Sequence, residues 1–201
     1  MELSDIYSRI FLRKLASAGE VWSEPDLEVI RRAIVFCKRR HDGLYRKSGE
    51  PYYSHPIQVA QILLGYTTER DIIVAAILHD VLEDTETDLR LISYIFGKEV
   101  AFLVDTVSTI DTGTLRVLSS NGVLRKNTYS QKALLVKLAD RLHNIITLHH
   151  IPAYKMKHKV NETLRLYVPL AQASNLHDLA RLLEMETLRY LPIISAMEEK
   201  K

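Results

Sequence analysis

The sequence predicts an all-α fold in one domain, and three observations lead there. Only seven Gly and six Pro punctuate 201 residues, which favours long helices over many short strands. Apolar residues recur at three- and four-residue spacing along most of the chain. No segment reads as a strand, and no internal repeat or low-complexity tract breaks the pattern.

The elements follow in order. Ile6, Ile10, Phe11 and Leu15 share a helix face, ended by Gly19. Pro25 opens a second helix, with Leu27, Ile30, Ile34 and Phe36 mostly on one side, ending near His41. Residues 42–52, with two Gly, a Pro and a Ser, read as loop. Pro56 fits the first turn of a third helix that runs to Gly65. Thr67 or Thr68 caps the next helix, with Glu69 and Asp71 at its start and the His79-Asp80 pair at its end. Thr87 and Asp88 start another, ended by Gly97, and helix resumes from Lys98 to Val107. Residues 108–129 lose the period and read as a long loop, a kind of segment that is often functional or mobile. Helix returns at Ser130 or Gln131 and continues past Leu148; Pro152 begins the next, and Asn175 separates it from a last helix through Leu188. The expected organisation is a helical extension over 1–24, the domain body over 25–190 and a tail over 191–201.

Composition narrows the function classes. A net charge of +2 gives no global electrostatic case for nucleic-acid binding. The single cysteine, Cys37, excludes an intrachain disulfide and a thiolate-rich zinc site. The first fifteen residues carry Glu2, Asp5, Arg9, Arg13 and Lys14, unlike the apolar core of a signal peptide. No window approaches the roughly 20 apolar residues of a membrane span. The expectation is a soluble, cytoplasmic protein with no membrane or nucleic-acid partner; its oligomeric state is left open.

The chemistry concentrates in His79-Asp80-Val81-Leu82-Glu83-Asp84-Thr85, which closes the apolar run Ile72–Leu78. Burying ionisable groups is costly unless they are paired or bound to a metal. His79 and Asp80 together suit one divalent cation, and Glu83 and Asp84, one turn on, are placed to handle the protons of a water activated there. Two further candidate ligands are His55, just before Pro56, and Asp140, within Leu138–Asn144. Two imidazoles and two carboxylates suit a hard-to-borderline ion such as manganese (Mn2+). Taken singly each has a bland alternative, a hydrogen-bonded core histidine or an Asp140 paired with Arg141 or Lys137. Arg46-Lys47, on the loop leading into His55, reads by itself as a solvated charge pair, although Arg can bind phosphate bidentately and Lys as a point charge.

The pattern H…HD…D resembles that of the HD phosphohydrolase superfamily, and the flanking blocks are more specific. Arg46-Lys47-Ser48-Gly49-Glu50-Pro51-Tyr52-Tyr53-Ser54-His55-Pro56, the segment Leu78–Thr85, Lys137-Leu138-Ala139-Asp140-Arg141-Leu142-His143-Asn144 and Glu162–Ala171 resemble, in order, four segments of the alarmone hydrolase domain of the RelA/SpoT family. The resemblance covers about residues 28–171. It implies removal of pyrophosphate from the ribose 3′ position of ppGpp or pppGpp, with manganese held by His55, His79, Asp80 and Asp140. It implies that Glu83 and Asp84 activate and orient the attacking water, and that Arg46, Lys47, Ser48, Asn144 and Thr147 seat the nucleotide. Three places depart from the family pattern: Asn161 stands for an Arg, Gln172-Ala173-Ser174-Asn175 for A-H-R-L-G, and Ser108-Thr109-Ile110 for T-K-L. The last bears on nucleotide affinity more than on chemistry. The alternatives are an HD phosphohydrolase acting on another nucleotide, such as the 2′-phosphate of NADPH, and a decayed nucleotide-binding module; the latter would have lost a ligand or the Glu-Asp pair, and neither is missing.

Overall fold

The computed structural model describes residues 3–17, 21–110, 113, 115 and 128–198. Twelve α-helices appear among them. They are α1 (Ile6–Ser17), α2 (Glu24–Arg40), α3 (Ser54–Leu63), α4 (Arg70–Leu78), α5 (Val81–Asp84), α6 (Leu89–Phe96), α7 (Lys98–Thr109), α8 (Thr128–Ile146), α9 (Ala153–Glu162), α10 (Val168–Ala173), α11 (His177–Leu188) and α12 (Leu191–Glu198). A 3₁₀ turn at Leu148–His150 and a π turn at Thr163–Tyr167 complete the set. The described residues contain no strand, only an isolated bridge between Tyr45 and Pro51. The all-α expectation therefore holds.

The chain divides into two compact units: Met1–Ile110 with Lys132–Val136, and Asp111–Gln131 with Lys137–Lys201. In the first, α4 is the central rod. All seven residues Ile72–Leu78 are buried, so it is apolar on every side and packs against α2, α3 and α7. Each fully buried Ile, Leu or Val contributes roughly 1.5–3 kcal/mol, which fixes this helix, and whatever follows it, firmly in place. The neighbouring helices are amphipathic and capped. Ser23 accepts from the Asp26 amide at the start of α2, with Pro25 in its first turn. Asp88 accepts from the Arg90 amide at the start of α6. Gly97 ends α6 at φ +94°, a backbone conformation side-chain-bearing residues avoid, and lets α7 begin at once.

In the second unit, Ile145, Leu148, Met156, Val160, Tyr190 and Ile194 form one apolar cluster. That cluster explains α12: Ile194 is buried against it, so Leu191–Glu198 forms a helix inside the stretch expected as a tail. The run beginning at Pro152 is also not one continuous helix. Pro169 lacks an amide and its ring crowds the carbonyl four residues earlier, which is Arg165. The chain widens into the π turn over Thr163–Tyr167 and regains α geometry at Val168. Asn175, at φ +60°, breaks α10 from α11 where the sequence places a break. Residues 108–110, expected in a loop, complete α7 and its cap, and 113 and 115 are helical. The rest of the expected loop up to 127 lies outside the described residues.

Candidate metal centre

His55, His79 and Asp80 converge in the first unit, each offering one ligand atom, with all three atoms within 4.8 Å of one another. His79 and Asp80 follow directly on the helix that the sequence has them close. α4 stops at Leu78, the pair forms the turn after it, and α5 starts at Val81. The reason is local. The His79 Nδ1–H donates to the Ala76 carbonyl at 2.7 Å, and the Asp80 carbonyl accepts from the amides of Glu83 at 3.2 Å and Asp84 at 2.9 Å, which starts the next turn. Ser108 Oγ donates to the His79 carbonyl at 3.4 Å. The departure at Ser108-Thr109-Ile110 thus leaves a hydroxyl against the metal turn. His55 comes from the other side, in the first turn of α3; the helix opens at Ser54, so His55 is itself helical despite the proline after it.

The donor set fits a cation. A carbonyl only accepts, so the 2.7 Å bond fixes the proton of neutral His79 on Nδ1 and leaves the Nε2 lone pair facing Asp80 Oδ1 at 3.0 Å. Two acceptors at that distance repel unless a positive charge lies between them. His55 Nε2 is 3.6 Å from the other oxygen, Asp80 Oδ2, and the two imidazole rings stand edge to face at 5.3 Å. With metal–ligand bonds of about 2.1 Å, ligands at right angles are about 3 Å apart. Both histidines are only 3% exposed, so protonating them in place of a metal would bury charge. A backbone carbonyl orienting one ring through its second nitrogen is the usual support for a histidine ligand.

Glu83 and Asp84 are exposed on α5, immediately after the metal turn. Arg46, half-buried, and Lys47, exposed, occupy the loop bridged by Tyr45 and Pro51. That loop is closed by the Arg46 amide donating to Glu50 O and the Gly49 amide to Arg46 O, both at 2.9 Å, with Gly49 at φ +87°. Ser48 Oγ donates to Glu50 Oε2 at 3.4 Å. Two residues here were not singled out by the sequence. Tyr52 Oη donates to Asp80 Oδ2 at 3.4 Å; burial, then the charges of Asp80 and Asp84, push its phenol well above the usual range, while Arg46 acts in the opposite sense. His41 stacks on the Tyr52 ring, and burial, only partly opposed by its bond to the Cys37 carbonyl, holds it below the usual histidine range. Tyr52 lies within the RKSGEPY-like segment, which was a signal; nothing local marked His41.

The remaining expected residues belong to the second unit. Asp140, on α8, accepts from Asn144 Nδ2 at 2.6 Å, and Thr147 Oγ1 donates to the His143 carbonyl at 3.0 Å just past the end of that helix. Beside Asp140, Arg141 is 8% exposed. It forms an ion pair with Glu162 at 2.5 Å and lies over the Tyr167 ring at 3.9 Å. The π turn carries Tyr167 and begins right after Glu162, so the irregular backbone supports the surroundings of Asp140.

Comparison with known proteins places this geometry. The HD domain family model matches residues 33–176. Among curated proteins, a probable GTP pyrophosphokinase of Mycobacterium leprae is 37% identical over 156 residues, 76% of this chain and 20% of that protein. The bifunctional (p)ppGpp synthase/hydrolase SpoT of Escherichia coli K12 is 35% identical over 167 residues, 80% of this chain and 24% of that protein. A guanosine-3′,5′-bis(diphosphate) 3′-pyrophosphohydrolase of Aquifex aeolicus is 35% identical over 193 residues, 88% of this chain and 27% of that protein. The chain thus spans about a quarter or less of the length of these relatives. A solved structure described as a metazoan ortholog of SpoT that hydrolyses ppGpp superimposes with a TM-score of 0.57 at 26% identity, over 80% of this chain and 92% of that one. The His-Asp turn, its second histidine and a family match over most of the sequence together make this chain a member of the HD-domain family.

Proposed function

We propose that this chain is a metal-dependent hydrolase that cleaves the 3′-pyrophosphate of ppGpp or pppGpp, releasing pyrophosphate and GDP or GTP, in the cytoplasm. The observation that carries the reading is the convergence of His55, His79 and Asp80 on one point with the lone pair of His79 turned inward. The names of the relatives support the substrate: SpoT and 3′-pyrophosphohydrolase for the curated proteins, and ppGpp hydrolysis for the solved neighbour. Other relatives are named for GTP pyrophosphokinase activity. They are several times longer than the matched segment, and a metal-competent His-Asp cluster suits phosphate ester hydrolysis.

His55, His79 and Asp80 would hold the ion, with Asp140 as the fourth ligand and manganese as the metal best suited to two imidazoles and two carboxylates. A divalent ion there supplies Lewis acidity toward phosphoryl oxygens and lowers the pKa of water. Glu83 and Asp84, on the exposed turn that follows, accept the proton of the attacking water and orient it. Arg46 and Lys47 neutralise phosphate charge, and Ser48, Asn144 and Thr147 donate to the nucleotide. Hydrolysis breaks the bond between the ribose 3′ oxygen and the adjacent phosphorus: the oxygen of water bonds to that phosphorus, pyrophosphate departs, and the ribose oxygen leaves protonated as the 3′-hydroxyl. The test is metal uptake: chelator-stripped protein should bind one Mn2+ per chain, and His79→Ala and Asp80→Ala should not. If either variant keeps wild-type metal content, the site is elsewhere.

A further inference from the structure

Asp80 has to present two oxygens in two directions. Oδ1 faces His79 Nε2 at 3.0 Å and Oδ2 faces His55 Nε2 at 3.6 Å. The carboxylate turns about a single-bonded stem, so the groups that meet its two oxygens set how it is presented. The Tyr52 hydroxyl donates to Oδ2 at 3.4 Å, and the Asp84 carboxylate is also within its hydrogen-bonding reach. Tyr52 is itself fixed at two points, and the second is anchored in turn. Its amide donates to the Leu44 carbonyl at 2.9 Å. Its ring lies flat on His41, centroids 5.0 Å apart and planes 13° off parallel. His41, 1% exposed, is tied by Nδ1–H to the Cys37 carbonyl of α2 at 2.9 Å. A chain of contacts therefore runs from the last turn of α2 through His41 and Tyr52 to the oxygen of Asp80 that His55 shares.

We propose that Tyr52 is a positioning residue for the metal ligand Asp80, and that His41 acts through Tyr52 by holding its ring. The inference rests on the metal-dependent reading above and deepens it. Hydrogen-bond partners of metal ligands raise affinity by removing the rotational freedom the ligand would lose on binding, and their removal commonly costs 10–100-fold in metal affinity or activity. Neither residue needs to touch the nucleotide for this role.

The experiment titrates Mn2+ into chelator-stripped full-length protein by calorimetry, with thermal melts of the same metal-free samples and KM and kcat measured at saturating Mn2+. Tyr52→Phe removes only the hydroxyl. It should weaken Mn2+ binding about 10-fold, leave the metal-free melting temperature unchanged, and leave KM for the nucleotide unchanged. His41→Ala should shift Mn2+ affinity in the same direction, and His41→Phe, which restores a flat ring, should recover it. A Tyr52→Phe chain that binds Mn2+ as wild type overturns the inference, as does a loss of affinity matched by a drop in metal-free stability, which marks a structural role. A wild-type chain that takes up no Mn2+ overturns the metal reading itself and this inference with it; wild-type uptake with an unaffected Tyr52→Phe overturns this inference alone.

Discussion

Replacing Arg141 by Met should destabilise the protein by about 3–5 kcal/mol, the usual result of stripping one partner from a buried ion pair. The magnitude follows from the surroundings. The side chains of Arg141 and Glu162 are 10% and 13% exposed and their charged atoms are 2.5 Å apart. Without Arg141, the largely desolvated Glu162 carboxylate loses this counter-charge, and the Tyr167 ring loses a cation at 3.9 Å. The cation–π contact would add up to about 2 kcal/mol if it were independent, but the same guanidinium makes both contacts, so the losses overlap. Met fills most of the aliphatic volume, so cavity formation is a minor part. In urea unfolding this appears as a lower midpoint at unchanged slope, and for a chain of this size as a fall in Tm of about 6–20 °C. Glu162→Gln should cost less, and the double variant should recover at least about 1 kcal/mol of the sum, since the two residues form one pair. If Arg141→Met and Glu162→Gln each cost under about 0.5 kcal/mol and add without coupling, the pair is solvent-screened and the buried network beside Asp140 does not exist as described.

Glu83→Gln and Asp84→Asn should keep most of the metal affinity and lower kcat by about 10²–10⁴-fold, the range for loss of general base catalysis; metal loss as complete as in His79→Ala would make them ligands. Arg46→Ala should raise KM with metal content intact, and Thr147→Ala should do so more mildly, because each removes a ground-state contact; unchanged KM in both would assign the loop and the helix end to structure alone. Burial raises the Asp5 carboxyl, but its 2.6 Å ion pair with Lys38 and the Ser8 bonds outweigh that and leave it below the usual range. A depressed carboxyl stabilises the fold above its unfolded pKa of about 3.9 and loses that contribution as pH falls through the folded value. The stability gap between wild type and Asp5→Asn should therefore be flat from about pH 5 to 7 and close as pH falls through the depressed folded value; a gap that persists in acid would show that packing is responsible.

The parts of the structure that a sequence reveals are those decided locally. Asp88 and Gly97 bracket α6 because a cap and a positive-φ break are properties of single residues. His55, His79 and Asp80 stood out because ionisable groups beside apolar runs need compensation, and the fold brings them together. The end of α4 was legible to within two residues, since the apolar run closes at Leu78; the sequence does not show the turn there, which depends on the His79 ring bonding back to Ala76. The π turn was obscured because Pro169 acts on a carbonyl four residues back, where the periodicity still reads as helix. α12 forms because Ile194 finds a cluster built from residues up to about fifty positions away. His41 carries no local mark, and the motif around Tyr52 does not show their contact, since a stacked ring pair is visible only once the loop between them is closed.

The most direct measurement of the central claim is product analysis by ion-exchange separation after incubating the purified chain with ppGpp and Mn2+. The account predicts GDP and pyrophosphate in equal amounts, no product after chelation, and no product from His79→Ala. A wild-type chain that binds Mn2+ yet leaves ppGpp intact, or a His79→Ala chain that turns it over at the wild-type rate, would contradict it.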